Sequence, residues 1–588
     1  MSRPAPSAAQ GTRGLRGLPL ILLSAALVAL AAHAGPLYRS GDLQPWPALC
    51  YSAAALGIVY SLADLLLAAA RLVEWWGSRS PTGRSGSASW ARWRQLKRSV
   101  SKTHQGPFWG RLAARRKSLF IDFASNAMCI APAGSGKGIF TVIPNILAIR
   151  ASKVVADFKG ELVCVCAKAL RQRGEVIRVL NPGGLWAERI GSNDCYSPLD
   201  IIVDDLHRPG GLRDVTDDLR EMSHQLYPEP GEGDGENTYF RNGSRRAIAD
   251  AMLIEAMIEG YDATLASVAL LIEDRQAFEY HMRWIVGIDL KDQPLEEGPL
   301  AIETMPWAVH HSAEDVAAFS QLLRARANNW LALMSGMDRR TFDSFASGAQ
   351  QALAPFAFGR LAPAMRRSTF SMSDLKDAPT TLFIVNDASR PEVYKAYTGL
   401  MQWCAMTAMK RHPAKDTPVY YILDEATNYI IDGLASLLTW GRSYGLRLLL
   451  VFQDLSAFEK AYGEKVLETL LSETEIKLFL PGQRSPKTLE LIKKLLGEQS
   501  VISASTGGRD PEERLSEQLS ESPRPLMTED EIRRSARALL IVRRHPAALI
   551  EPVSYAAIHP WRRQAAINPF HGKPFLRPVA LRLKEPRR

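Results

Sequence analysis

The stretch Ala131–Phe140, APAGSGKGIF, decides how the rest of the chain is read. It comes close to the pattern in which a glycine-rich turn bends backbone N–H groups around phosphates and a lysine reaches the outer ones. Two positions depart from it. Ala131 stands where a first glycine is expected, and Gly138 where a serine or threonine would hand its hydroxyl to magnesium. The alternative is a plain small-residue turn, and context weighs against it. The apolar run 127–131 precedes the loop and IFTVIPNILAI follows, so the loop sits where a strand hands over to a helix. The N–H groups of Gly134, Ser135, Gly136, Lys137 and Gly138 are then expected to line a β-phosphate, with Lys137 bridging β and γ.

A second element strengthens this. VYYILDEATNY (419–429) is an apolar run that closes on Asp424 and Glu425. A strand ending in two carboxylates at the edge of a sheet would set Asp424 to hold Mg²⁺ through its waters and Glu425 to polarise the water attacking a γ-phosphate. An ordinary helix N-cap is the competing explanation of an acidic pair after a strand. A third run, LRLLLVF (446–452), ends in Gln453, placed as a sensor of the γ-phosphate would be. Arg442, in the turn before that run, is either a solvated surface arginine or a cation that neutralises transition-state charge in a neighbouring subunit.

The chain has 588 residues with 46% hydrophobic content, enough for two to four domains with cores of their own and too apolar for a disordered scaffold. Its six cysteines (Cys50, Cys129, Cys164, Cys166, Cys195, Cys404) lack paired metal-ligand spacing. Reduced, buried thiols in a cytosolic body are expected.

At the N-terminus, 18–34 and 48–70 are apolar runs of spanning or near-spanning length, separated by a short polar turn with Arg39 and Asp42. They read as a transmembrane hairpin. A signal peptide followed by a core helix is the alternative, disfavoured because a heavily basic segment comes next. Arginines flank both outer ends, so positive-inside bias places both termini and the bulk of the chain in the cytoplasm. The formal net charge of +10 is unevenly spread: residues 71–120 carry +11, the tail 560–588 carries +7 and the first seventeen residues +3, leaving the remainder at about −11. Basicity therefore belongs to the membrane-proximal segment, where anionic headgroups explain it, and to the tail, where nucleic acid, an acidic partner or lipid fit equally.

From about 117 onward, short β-rich runs alternate with helical stretches, as in a parallel sheet covered by helices. Strands are expected at 127–131, 152–156, 176–180, 380–385, 419–423, 446–452, 475–480 and 537–542. Between 205 and 349 only helical periods appear, one of them following Asp262 as N-cap. The reading is an α/β P-loop NTPase domain with an inserted all-α domain and a two-helix membrane anchor. Its parts are a tail (1–17), the hairpin (18–70), a basic juxtamembrane linker (71–116), the first part of the NTPase domain (117–204), the all-α insertion (205–349), the second part (350–555) and a basic C-terminal tail (556–588).

Several blocks carry a family resemblance. SGKGIFTVIPNIL, ADFKGEL (156–162), YSPLDII (196–202), LDEATNY, YGLRLLLVFQDLSAFEKAYG (444–463) and RPLMTEDEIR (524–533) resemble, in order, those of the type IV coupling proteins, and SGSASWARW (85–93) resembles the motif after that family's second span. The resemblance implies a membrane-anchored ATPase using ATP and Mg²⁺. It implies a RecA-like motor closed into a homo-hexameric ring with ATP at subunit interfaces, Arg442 completing the neighbour's site. The partners implied are a relaxase–DNA complex or single-stranded DNA and the components of a type IV secretion channel. Gly138 resembles a family feature. Ala133, in place of threonine, and Ala426, in place of an aromatic, depart from the pattern without removing a charge. For the charges of Lys159 and Glu161 the sequence offers no physical reason.

Three other functions compete. A coupling ATPase that exports effector proteins would share every motif above. A chromosome-segregating DNA translocase should show about four spans and a winged-helix C-terminus, which this chain lacks. A membrane scaffold would bind ATP only to assemble.

Overall fold

The computed structural model describes residues 85–588 apart from 192, 230–237, 290, 296–301, 336–338, 508–515, 573–578 and 584–588, together with scattered positions between 29 and 70. The two apolar runs of the expected hairpin thus lie almost wholly outside the described residues, among which no helix is long and apolar enough to cross a membrane.

The chain divides into two compact units. The larger is built on an eleven-stranded sheet. Its strands are β1 (Phe108–Leu112), β2 (Lys117–Phe120), β3 (Asn126–Ile130), β4 (Ser152–Asp157), β5 (Val176–Leu180), β6 (Thr380–Val385), β7 (Val419–Leu423), β8 (Leu446–Phe452), β9 (Thr474–Phe479) and, after the smaller unit's β10 (Glu498–Gly507) and β11 (Ser516–Pro525), β12 (Ala538–Val542) and β13 (Ala548–Glu551). The order is β2-β1-β13-β12-β9-β3-β8-β7-β4-β6-β5. From β9 to β5 all pairings are parallel. Strands β3, β4, β6 and β7 are buried along their whole length. That is why each is built around an apolar run: helices cover both faces of a parallel sheet, and each fully buried Val, Leu or Ile contributes about 1.5–3 kcal/mol.

The other edge departs from the expected all-parallel arrangement. β12 runs antiparallel to β9, β13 to β12, β1 to β13 and β2 to β1. Two of these pairings have a local reason: β1 and β2, and β12 and β13, are joined by four or five residues, enough for a hairpin and far too few for a crossover. This also revises the juxtamembrane linker, since Ala91, Leu96, Phe108, Trp109 and Leu112 all lie in the core cluster under the sheet.

Among the helices of this unit are α1 (Ile143–Ala148), α2 (Glu161–Gln172), α3 (Asp200–His207), α4 (Leu212–Leu226), α5 (Thr238–Glu259), α6 (Leu265–Glu273), α7 (Arg275–Val286), α8 (Ala313–Ser335), α9 (Arg339–Ala357), α10 (Pro391–Arg411), α11 (Leu434–Trp440), α12 (Leu455–Tyr462), α13 (Glu464–Glu473) and α14 (Pro486–Leu496). Between β5 and β6 the described residues contain helices and no strand of four residues or more. Helix α6 is capped by Thr264, whose side chain accepts from Ser267 N–H, and not by Asp262. Arg411 at the end of α10 ties this helical region to the sheet unit through Asp205 (3.1 Å) and Asp218.

The smaller unit is a ribbon. β10 and β11 pair antiparallel over ten residues each, and residues 85–88 run alongside β10, with Ala88 N–H donating to the Glu498 carbonyl (2.9 Å) and Ser500 N–H to that of Gly86 (3.0 Å).

Candidate nucleotide site

Strand β8 lies between β3 and β7, so the segments that follow these three strands emerge side by side at one edge of the parallel sheet. That edge, at the C-terminal ends of the strands, is where open α/β sheets bind ligands. The glycine loop follows β3, Gln453 follows β8, and Asp424 and Glu425 follow β7.

In the loop, Gly134 and Gly136 have φ of +78° and +80°, values that L side chains rarely adopt. A Cβ on Gly136 would also sit 2.6 Å from the Phe140 ring. The Ser135 N–H is spent inside the turn, on the Pro132 carbonyl (3.0 Å). Among the described residues the N–H groups of Gly134, Gly136, Lys137 and Gly138 have no partner, so the cradle is four donors and not the five expected. The buried Ser135 Oγ also lacks one. A wide i→i+5 turn, Ile143 N–H to the Gly138 carbonyl, opens the helix that follows.

Lys137 reaches across β8 to the acidic pair. Its Nζ lies 3.1 Å from Asp424 Oδ1 and pairs with Glu425 Oε1. Burial alone would lower the Lys137 pKa, but the two carboxylates outweigh it and hold the ammonium above its ordinary value. Burial pushes Asp424 up, with Glu425 adding to the push and Lys137 opposing it. Glu425 sits at φ +51°, left-handed backbone that costs a non-glycine residue of order 1–3 kcal/mol and is concentrated at functional sites. Its Oε2 is buried without a hydrogen-bond partner.

Sequence reasoning missed two residues of this edge. Asp157 ends β4, and the register Ala156↔Leu423 sets it beside Asp424. Wholly buried, it has its pKa pushed up to about 7; the Val163 and Lys159 N–H groups oppose that, while Asp424 and Glu161 add to it. Its signal was available, since Asp157 closes an apolar strand run just as Asp424 does. Gln483, after β9, is buried and donates to the carbonyls of Ile130 (3.0 Å) and Leu480 (2.8 Å), pinning the end of β3 where the loop begins. No run or spacing marks it.

The charges at 159 and 161 now have a physical account. Glu161 accepts from Asn568 Nδ2 (2.5 Å), Lys159 Nζ lies 5.9 Å from the Phe570 ring centroid, and Trp186 both donates to the Lys159 carbonyl (3.0 Å) and meets Phe570 edge-on. Both residues fasten the segment around 568–570 to the β4–α2 junction.

Gln453 is exposed at the same edge as Lys137. Arg442 is not brought there. It is exposed on the short helix Gly441–Tyr444 that enters β8, so the length of that strand, roughly 20 Å, separates it from its own chain's site. Among the described residues the cysteines are unpaired and no cluster of metal-binding side chains occurs. With one cation against two carboxylates and four free donors, this edge suits a polyphosphate accompanied by a divalent cation.

Residues 82–555 match the family described as type IV secretory system conjugative DNA transfer. Among curated relatives, Protein VirD4 of Agrobacterium fabrum is 24% identical over 498 residues, covering 81% of this chain and 67% of that protein. Conjugal transfer protein TraG of Escherichia coli is 24% identical over 556 residues, covering 85% and 80%. The match to VirD4 of Rhizobium radiobacter spans only 56% of that relative's length. Among solved structures, the unbound bacterial conjugative coupling protein TrwBdeltaN70 superposes with a TM-score of 0.55 at 16% identity, over 80% of this chain and 96% of that one. TrwB in complex with ADP and Mg²⁺ gives 0.53 at 16% identity, over 80% and 96%. These structural likenesses speak for the fold; the family match, running from residue 82 to residue 555, shows that the chain belongs to the type IV coupling proteins, the conjugative DNA transfer family of type IV secretory systems.

Proposed function

We propose that the chain is the ATPase that recruits relaxase-bound single-stranded DNA and drives it to a type IV secretion channel. The observation that carries the ATPase part is Lys137 paired with Asp424 and Glu425 beside four unpartnered N–H donors, and the DNA-transfer part is supported by the family match over residues 82–555. The solved relative TrwB in complex with ADP and Mg²⁺ supports the choice of nucleotide. In this reading the donors of Gly134, Gly136, Lys137 and Gly138 hold the phosphates, and Lys137 exchanges its carboxylate partners for phosphate oxygens. Asp424 would hold Mg²⁺, and because Gly138 offers no side-chain oxygen the cation would lean on phosphates, waters and Asp424. Mg²⁺ supplies charge neutralisation on the phosphates. Glu425 orients and deprotonates the attacking water, and Gln453 reports loss of the γ-phosphate.

Arg442, far from its own site, completes that of a neighbour in a homo-hexameric ring, so a dilute monomer hydrolyses ATP poorly. The apolar runs at 18–70 anchor the ring in the bacterial inner membrane with the bulk of the chain cytoplasmic, and the helical region between β5 and β6 faces arriving cargo.

The test is ATP turnover by the full-length protein with and without single-stranded DNA, against Lys137→Ala. Salt-sensitive stimulation by DNA, absent in the variant, is the predicted result. Turnover without any response to DNA would favour export of effector proteins instead; no turnover by the assembled wild type would overturn the ATPase reading.

A further inference from the structure

Gln225 is the last residue but one of α4 and is buried, yet its side chain touches the segment that carries Glu425. Its Nε2 donates to the Ile430 carbonyl (2.8 Å) and its Oε1 accepts from the Asp432 N–H (2.9 Å). The amide thus satisfies a backbone acceptor and a backbone donor two residues apart, as a strand partner would, and a buried glutamine left without them would be costly.

A glycine keeps the junction open. On α10, a Cβ at Gly399 would fall 2.2 Å from the Ile430 carbonyl oxygen and 2.5 Å from Gln225 Nε2. Three separate parts of the chain therefore meet at one hydrogen-bonded point: α4, α10 and the turn after β7.

The same turn is also held by β8 and by Tyr462, which has a backbone hydrogen bond at Ile431 as well. Ala426 N–H donates to the Val451 carbonyl (3.0 Å), and the Tyr462 hydroxyl donates to the carbonyls of Ala426 (3.1 Å) and Tyr429 (2.9 Å). Glu425 itself sits in left-handed backbone, a conformation that persists only when its surroundings over-determine it. Gln225 adds an anchor from α4, at Ile430 and Asp432.

We infer that Gln225 is a positioning residue for hydrolysis, clamping the turn that aims Glu425 and linking that turn to the helices between β5 and β6. This rests on the reading of Glu425 as the base. It goes further in naming the contact through which the state of the site reaches a region distant from it in sequence.

Two substitutions perturb the junction from opposite sides. Gln225→Met keeps the volume and loses both hydrogen bonds, while Gly399→Ala drives a methyl group into the same point from α10. Full-length protein is measured for kcat, KM for ATP, the Kd of a non-hydrolysable ATP analogue with Mg²⁺, and amide hydrogen exchange with and without that analogue. Either variant is expected to lower kcat by about tenfold or more, with KM and Kd held within about twofold. In the wild type, the analogue should slow exchange in 212–226 as well as in 425–432; in the variants the effect should stop at the turn.

If Gln225→Met does not fold, Gly399→Ala and Gln225→Glu, which keeps the acceptor and loses the donor, carry the same expectation. An unchanged kcat in a folded variant, or analogue-induced protection of 212–226 that survives the substitution, overturns the inference. Failure of the wild type to hydrolyse ATP would sink the underlying reading, a different result.

Discussion

The ammonium of Lys137 rests 3.1 Å from Oδ1 of Asp424, although the two residues leave strands that are not neighbours and must reach across β8 to meet. The pair joins a phosphate-type loop to an acidic strand end, and it keeps the lysine charged and the two carboxylates partly neutralised.

The two ends of this arrangement should fail differently. Lys137→Ala removes the cation facing the phosphates and is expected to lose binding of nucleotide together with turnover. Glu425→Gln keeps size and position and should bind a non-hydrolysable analogue normally while turnover falls by about 10²–10⁴-fold. Calorimetric binding beside steady-state turnover separates the two; equal loss of binding in both variants would remove Glu425 from the chemistry.

Gly138 leaves room for a metal ligand. A Cβ there meets nothing within 4 Å and its φ is not in the left-handed range, so Gly138→Ser should change stability by no more than about 0.5 kcal/mol. With a hydroxyl supplied, half-maximal turnover should need less Mg²⁺. A higher Mg²⁺ requirement would mean that the cation does not approach from the loop side.

Asp157 sets a pH dependence. Its folded pKa, about 7, lies above the ordinary value of 3.8 because of burial. Between those limits the folded state binds more protons than the unfolded one, so its contribution to stability is full below about pH 4 and is lost as pH rises through 7. Asp157→Asn should flatten this decline in denaturant unfolding measured from pH 4 to 8. An unchanged slope would show that Asp157 is ionised throughout.

At the start of β4, Lys153 is fully buried on Glu175 (2.9 Å) and on the carbonyls of Ile149 and Ala151. Burial lowers its pKa to about 8, against the pull of Glu175. Glu175→Ala strands that charge and should cost about 3–5 kcal/mol near pH 7. Because the folded pKa is depressed, the Lys153 penalty is complete below about 8 and fades as pH approaches 10.5. Unfolding at pH 7 and pH 9.5 should therefore show a smaller loss at the higher pH; equal losses would contradict this.

Much of the parallel half of the sheet was legible because burial on both faces writes most of its strands around an apolar run, as in β7 and β8. Strands β5, β6, β7 and β8 occupy the residues expected of them, and β3, β4, β9 and β12 begin or end within one residue of theirs. The antiparallel edge was not legible. FWGRL is broken by Gly110 and Arg111, KSLF is too short to show a period, and orientation depends on connections more than on composition. The ribbon of β10 and β11 is polar along most of its length and leaves no apolar signal.

At the site, Lys137, Asp424, Glu425 and Gln453 could be placed at one edge because each closes or follows a recognisable strand. Gln225 and Gln483 act through backbone groups of segments distant in sequence, and nothing in their neighbours announces that. Lys159 and Glu161 posed the same difficulty, since their partners Phe570 and Asn568 lie in the C-terminal segment.

The central claim is tested most directly by a structure of the full-length protein with a non-hydrolysable ATP analogue and Mg²⁺. The account predicts phosphates on the N–H groups of Gly134, Gly136, Lys137 and Gly138, Lys137 Nζ moved from Glu425 onto phosphate oxygens, and the cation on the Asp424 side. A nucleotide bound elsewhere on the chain, or one seated at the loop with the Lys137–Glu425 pair intact, would contradict it.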